Sequence, residues 1–74
     1  MTERQIKAAR ALLGIDGKKL AEMSGVSLVT VRRIEADPDA AGYARQALVS
    51  ALEKAGVDFI EDRGVVLRKG GPAS

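Results

Sequence analysis

Apolar residues recur along the first part of the chain at the three- and four-residue spacing that buries one side of an α-helix. Ile6, Ala9, Leu12 and Leu13 form such a stripe. The stripe predicts a first helix that runs to about Leu13 and begins after Thr2, whose hydroxyl can cap the free backbone N–H groups of the first turn.

Residues 17–35 have the pattern of two short helices joined by a tight turn. Leu20 is an apolar position of the first helix, and Gly25 can end that helix because glycine adopts the left-handed conformation without a Cβ clash. Ser27 is a natural N-cap for the second helix, in which Val31 and Ile34 share one buried face. The pattern leaves four residues facing outward on the second helix: Leu28, Val29, Arg32 and Arg33.

The remaining chain predicts one longer helix and a β-hairpin. Asp37-Pro38 ends the preceding helix, because a residue before proline avoids helical conformation, and Gly56 ends the next one. That helix runs from about Ala40 to Ala55, with an apolar face of Tyr43, Ala47, Leu48, Ala51, Leu52 and Ala55. Two apolar runs, 57–60 and 65–68, flank a turn at 61–64 and predict a hairpin. We expect one domain over residues 1–69 and a flexible tail over residues 70–74.

Composition narrows the function. The 74 residues include no cysteine and no histidine, so thiol nucleophiles, disulfides, the usual zinc sites and the commonest general base are lacking. We therefore expect no enzyme activity, no metal and no cofactor. The chain has no apolar run of membrane-spanning length and no signal-peptide core, which favours a cytoplasmic protein without membrane contact.

The small net charge of +2 is unevenly distributed. Residues 1–35 contain seven Lys/Arg and four Asp/Glu, a balance of +3, whereas residues 36–74 contain five and six, a balance of −1. The positive excess therefore coincides with the two-helix stretch, where it favours a polyanionic partner.

Residues 17–35 resemble the helix-turn-helix of the Cro and phage-repressor (Xre) family of DNA-binding proteins. The resemblance is carried by Leu20-Ala21, by the turn Gly25-Val26-Ser27, and by Val31 and Ile34 followed by Glu35. It implies a mainly α fold, a lambda-repressor-like bundle of four or five short helices, here with a C-terminal β-hairpin. It also implies that Arg10 pairs with Glu35 as a structural ion pair, and that the second helix enters the major groove.

The resemblance assigns roles to the outward residues. We expect base contacts from Ser27, Leu28, Val29 and Arg33, and phosphate contacts from Gly17, Lys18, Lys19, Thr30, Arg32 and Tyr43. Many relatives carry a polar side chain where this chain has Gly17, so a side-chain contact is lost there while backbone N–H groups remain. Two assignments have alternatives: Lys18 and Lys19 can equally form a solvated face, and Tyr43 is better explained by packing against the core.

The implied function is a sequence-specific transcriptional regulator, a dimeric repressor or autoregulator of a phage or mobile-element type that binds a palindromic operator in double-stranded DNA. The homodimer interface is expected at the hairpin, at Phe59, Val65, Val66 and Leu67. The alternative is a protein-binding module, an antitoxin or antiactivator, whose Leu28 and Val29 face a second protein.

Overall fold

Four α-helices followed by a two-stranded antiparallel hairpin make up the part of the chain that the computed structural model describes, residues 3–37, 39, 42–61 and 64–68. The helices are α1 (Glu3–Leu13), α2 (Gly17–Ser24), α3 (Leu28–Ala36) and α4 (Tyr43–Lys54), and the strands are β1 (Val57–Ile60) and β2 (Gly64–Leu67). The predicted fold class is confirmed. The predictions for Thr2, Pro38 and the tail fall outside the described residues.

One hydrophobic core joins all four helices to the hairpin. Its buried members are Ile6, Ala9, Leu20, Val31, Ile34, Leu48, Val49, Ala51, Leu52 and Val57. Half-buried apolar residues pack around them, including Val26 in the turn between α2 and α3. The apolar stripes of separate elements thus meet at a single centre, as expected of a domain this small.

Helix α1 departs from its predicted stripe at one end. Leu12 is 45% exposed, so its assignment to the buried stripe is wrong, whereas Gln5 on the same side of the helix is only 2% exposed. The Gln5 Nε2 atom donates to the backbone oxygens of Glu61 and Gly64, both at 3.0 Å. The hairpin turn therefore covers the start of this side of α1, while Leu12, two helical turns further on, stays exposed.

Helix α4 begins at Tyr43, and Ala40, near which the sequence predicted its start, lies outside the described part of the chain. The N-cap is Gly42, which has no side chain to cap the helix. The first residue of the helix, Tyr43, is 90% exposed. The core position favoured for Tyr43 from sequence is therefore wrong. Tyr43 projects from the start of α4, whereas its neighbour Ala44 packs against the core and full burial begins at Leu48.

The hairpin packs one face onto the helices. Its register pairs Val57 with Leu67 and Phe59 with Val65, so these four side chains share the face that meets the core. The opposite face carries the exposed residues Asp58, Ile60 and Val66. Strand β2 begins at Gly64, one residue earlier than predicted, and Arg68 lies just beyond its end.

Candidate nucleic-acid interface

The corner between α2 and α3 is fixed by local hydrogen bonds. Asp16 caps α2, its Oδ1 accepting the Lys19 N–H at 2.8 Å. Gly25 ends α2 at φ 76°, and its N–H donates to the Ala21 oxygen at 3.0 Å. The Ser24 hydroxyl donates to the Leu20 oxygen at 2.8 Å and accepts the Val26 N–H at 3.3 Å, so it joins the end of the helix to the turn.

Helix α3 is capped as the sequence predicts. The Ser27 Oγ accepts the Thr30 N–H at 3.2 Å and donates to the Thr30 Oγ1 at 2.9 Å. Because Thr30 Oγ1 is the acceptor in that bond, its own hydrogen is free to point elsewhere. At the other end the Asp37 N–H donates to the Arg33 oxygen at 3.0 Å, and Asp37 Oδ1 accepts the Asp39 N–H at 2.9 Å.

One face of α3 is open to solvent. Val29 is 75% exposed, and Arg32 and Arg33 are also exposed. Arg32 and Arg33 each neighbour Val29 on the helix surface, since they lie three and four positions after it. The arrangement offers an apolar contact beside two guanidinium groups, which can bond guanine edges or phosphate oxygens in a major groove.

Leu28 does not share this exposure. Its side chain is only partly accessible, and its Cδ1 lies so near Gly17 that a Cβ atom on that glycine would be 3.3 Å away. Leu28, predicted to face outward with Val29, Arg32 and Arg33, is thus half-buried and packs beside Gly17. The missing side chain of Gly17 leaves a notch between the first turns of α2 and α3, and Leu28 occupies it.

The same contact brings two helix N-termini together, because Gly17 opens α2 and Leu28 opens α3. Free backbone N–H groups at helix N-termini carry partial positive charge and attract anions. Lys18 and Lys19 lie exposed on the first turn of α2. This edge of the molecule therefore combines helix dipoles and lysine charges, a combination suited to phosphate groups.

Helix α3 is tied to α1 by an ion pair. Arg10 Nε donates to Glu35 Oε2 at 2.9 Å and Arg10 Nη2 donates to Glu35 Oε1 at 3.2 Å, a two-pronged geometry. Arg10 Nη1 also donates to the Ile15 oxygen at 3.3 Å, a contact that the sequence did not indicate. The carboxylate is nearly buried, with 10% of the Glu35 side chain exposed against 27% for Arg10. The pair joins the last turns of both helices.

The residues predicted for the dimer interface lie apart from this surface. Phe59, Val65 and Leu67 already contact the core of their own chain, and Val66 is 46% exposed on the outer face of the hairpin. Tyr43, predicted to contact phosphate, projects from the start of α4.

Two kinds of site are lacking in the described ranges. No helix among them is long and apolar enough to cross a membrane. Nor do these residues include three His, Cys, Asp or Glu grouped so that they could hold a metal ion.

Comparison with known proteins agrees with this geometry. The family model for the helix-turn-helix of the Xre and Cro type matches residues 6–55, more than half of the chain, from within α1 to the end of α4. No curated protein gives a significant match. The matched span contains the capped corner, the exposed face of α3 and the ion pair that holds it. The chain belongs to the Xre/Cro-like helix-turn-helix family and is a DNA-binding transcription regulator of that type.

Proposed function

We propose that the chain is a homodimeric repressor of a phage or mobile-element type, acting in the cytoplasm and binding a palindromic operator near its own gene. The exposed face of α3 is the observation that carries this proposal. An apolar side chain that is 75% exposed, Val29, lies next to two arginines on a helix whose other face is buried in the core. The helix can therefore enter a groove without disturbing the fold.

Within this face the roles divide by chemistry. Arg33 bonds a guanine edge bidentately, and Val29 contacts a thymine methyl group, with Leu28 and Ser27 at the end of the helix beside them. Arg32, Lys18, Lys19, Thr30, Tyr43 and the N–H groups at Gly17 contact phosphates, which fix position and carry no sequence information. Replacing Arg33 should therefore reduce the preference for one particular base pair more than replacing any other residue of this face.

A pair of arginine variants tests this division. Arg33→Ala should weaken binding to the DNA upstream of the gene by roughly 1–3 kcal/mol and relax one base position, whereas Arg32→Ala should weaken all sequences alike and reduce the salt dependence. Both residues are exposed, so folding is not at risk. Gel-shift titrations of wild type and both variants, at two salt concentrations, measure the difference. If Arg33→Ala bound the cognate DNA as tightly as wild type does, Arg33 would not be a base-contacting residue.

The dimer is proposed at the free edge of β2. The Arg68 N–H donates to the Gly56 oxygen at 2.7 Å. In an antiparallel ladder hydrogen-bonded and non-hydrogen-bonded pairs alternate, so this bond identifies which residue pairs of the hairpin are hydrogen-bonded. The pairs 58/66 and 60/64 then bond within the hairpin, while the backbone groups of Val65 and Leu67 point to the outer edge of β2. Two copies of this edge can pair antiparallel across a two-fold axis, with the exposed Val66 beside the junction.

The outer edge of β1 is less accessible. The Arg68 guanidinium donates to the Val57 oxygen at 3.4 Å, and it also contacts the Asp58 carboxylate and the Glu53 oxygen at the end of α4. Because Val57 and Leu67 form a non-hydrogen-bonded pair in the same alternation, the Val57 oxygen points to the outer edge of β1. A charged side chain across an edge discourages strand pairing, so β2 is the favoured strand.

Proline substitutions distinguish the two edges of β2. Val65→Pro removes an N–H that points outward, so it should yield a folded monomer that binds the operator weakly. Val66→Pro removes an N–H that bonds β1, so it should weaken the hairpin itself. Sedimentation at micromolar concentration and circular dichroism report the two outcomes. A Val65→Pro chain that remained fully dimeric would point to another interface, such as the exposed face of α4.

The alternative function, a protein-binding module such as an antitoxin or antiactivator, uses the same exposed Val29. The two arginines beside Val29 favour DNA. Absence of any shift with the upstream DNA, together with a Val29→Asp variant that loses a protein partner, would support this alternative.

A further inference from the structure

Gly17 and Leu28 make a contact that connects the two parts of the DNA-binding surface. Gly17 is the first residue of α2, next to the lysines, and Leu28 is the first residue of α3, next to Val29. A Cβ atom on Gly17 would stand 3.3 Å from Leu28 Cδ1 and 3.9 Å from Val31 Cγ1. The first distance is shorter than an ordinary carbon–carbon contact, so Leu28 would have to move to accommodate even one methyl group.

The direction of that movement is restricted. Val31 is fully buried and lies on the inner side of Gly17, within contact distance of the same hypothetical Cβ. Close-packed interiors do not yield space for a displaced leucine. Leu28 is itself only half-buried, so its Cδ1 atom has room to shift on the side that is open to solvent.

We propose that Gly17 determines DNA sequence preference by keeping Leu28 withdrawn, so that Val29 is the leading apolar contact of α3. Leu28 is then a positioning residue whose terminal methyl group fills the notch and sets how closely the two helix N-termini approach. A side chain at position 17 would shift Leu28 Cδ1 by a few tenths of an ångström toward solvent, beside Val29, and so change the apolar surface that α3 presents. The inference rests on the proposed reading role of α3, and it does not depend on the dimer.

A double-mutant cycle on the base preference tests the inference. The variants are Gly17→Ala, Leu28→Val and the double variant, where valine lacks the Cδ1 atom that meets the added methyl group. Each protein selects from a library of randomised DNA duplexes, and its affinity for the wild-type consensus is then titrated. Gly17→Ala should lower that affinity about tenfold and change the preferred base at one position, an effect typical of coupled neighbours.

The valine background should cancel the effect of the added methyl group. Once Leu28→Val has removed Cδ1, Gly17→Ala should alter affinity less than about twofold and leave the base preference as in Leu28→Val alone. Thermal unfolding of all four proteins supplies the control. Alanine has a higher helix propensity than glycine, so Gly17→Ala should not lower the melting temperature substantially.

Two results would overturn the inference in different ways. Equal effects of Gly17→Ala in both backgrounds, or an unchanged base preference, would show that the contact does not control sequence reading. A wild-type chain that selects no sequence from the library would instead contradict the proposed function, and the inference with it.

Discussion

Helix α3 and the C-terminal hairpin both contact α1, but the polar contacts that each makes there differ in kind. Arg10 holds α3 through an ion pair that remains partly exposed. Gln5 holds the hairpin through its neutral amide, which bonds the Glu61 and Gly64 oxygens, and the residue is only 2% exposed. Both elements also bury apolar side chains in the core, so the difference lies in their polar contacts to α1, a partly exposed ion pair for α3 and a buried amide for the hairpin.

The difference follows from what each element presents. Helix α3 buries Val31 and Ile34 and keeps a whole face of side chains exposed. The hairpin presents a backbone edge, which leaves its side chains available for the core. Under the proposed function the hairpin contacts its partner through a backbone edge and can pack its side chains into the core, whereas α3 reads DNA with side chains that have to stay uncovered.

Deleting the hairpin is expected to have the largest effect on stability. Deletion from Val57 onward should unfold the helices as well, because the hairpin forms part of their core. Val57 is fully buried, and three further hairpin side chains pack on the core. At about 1.5–3 kcal/mol for each large apolar side chain fully buried, the loss approaches the total stability of a small domain. Circular dichroism should show a largely unfolded chain.

A matched pair of valines refines that test. Val57→Ala should cost about 2 kcal/mol of unfolding free energy, because two methyl groups leave the core. Val66→Ala should change stability by less than about 0.5 kcal/mol, since Val66 faces outward on the same hairpin. Urea denaturation measures both. Equal losses would mean that the outer face is also covered in solution, as a dimer could cause.

The next largest effect is expected at the charged attachment. Arg10→Ala leaves the nearly buried Glu35 carboxylate without its partner, which should cost about 2 kcal/mol, below the 3–5 kcal/mol of fully buried pairs. Arg10→Ala with Glu35→Ala should cost less than Arg10→Ala alone. A double-mutant cycle by urea denaturation tests this, and additive losses would show two independent charges.

The smallest effect is expected at the neutral attachment. Gln5→Leu keeps the volume but removes the donor to the Glu61 and Gly64 oxygens, at a cost of about 1 kcal/mol. Gln5→Glu is the matched control. Burial and the two nearby carbonyl oxygens disfavour the negatively charged form of the introduced carboxyl group. Its pKa in the folded state should therefore rise above the unfolded value of about 4.3.

The stability of Gln5→Glu relative to wild type should then be highest below pH 4 and should fall as the pH rises through the folded pKa. Thermal melts of both proteins between pH 4 and pH 7 measure this difference. A constant difference over that range would indicate that residue 5 is solvated, contrary to the structure.

Local sequence signals determined the caps and the corner. Gly25, Ser27 and the position of Asp37 before a proline indicate helix ends through conformational preferences that act within a few residues, and the structure places caps at Gly25, Ser27 and Asp37. The family resemblance indicated the Arg10–Glu35 pair. These features could be predicted because each depends on neighbouring residues or on a motif shared with relatives.

Only the tertiary structure decided how far each apolar stripe is covered. Periodicity gives the side of a helix that turns inward but not where along its length a neighbour ends, so it misplaced Leu12 and Tyr43 and gave no sign that Gln5 is buried. The partners of Gln5 are backbone oxygens 56 and 59 residues away, which no local pattern encodes. The withdrawal of Leu28 likewise depends on a space left by a glycine in another helix. Local conformation follows from local chemistry, whereas burial depends on which distant surface occupies the same volume.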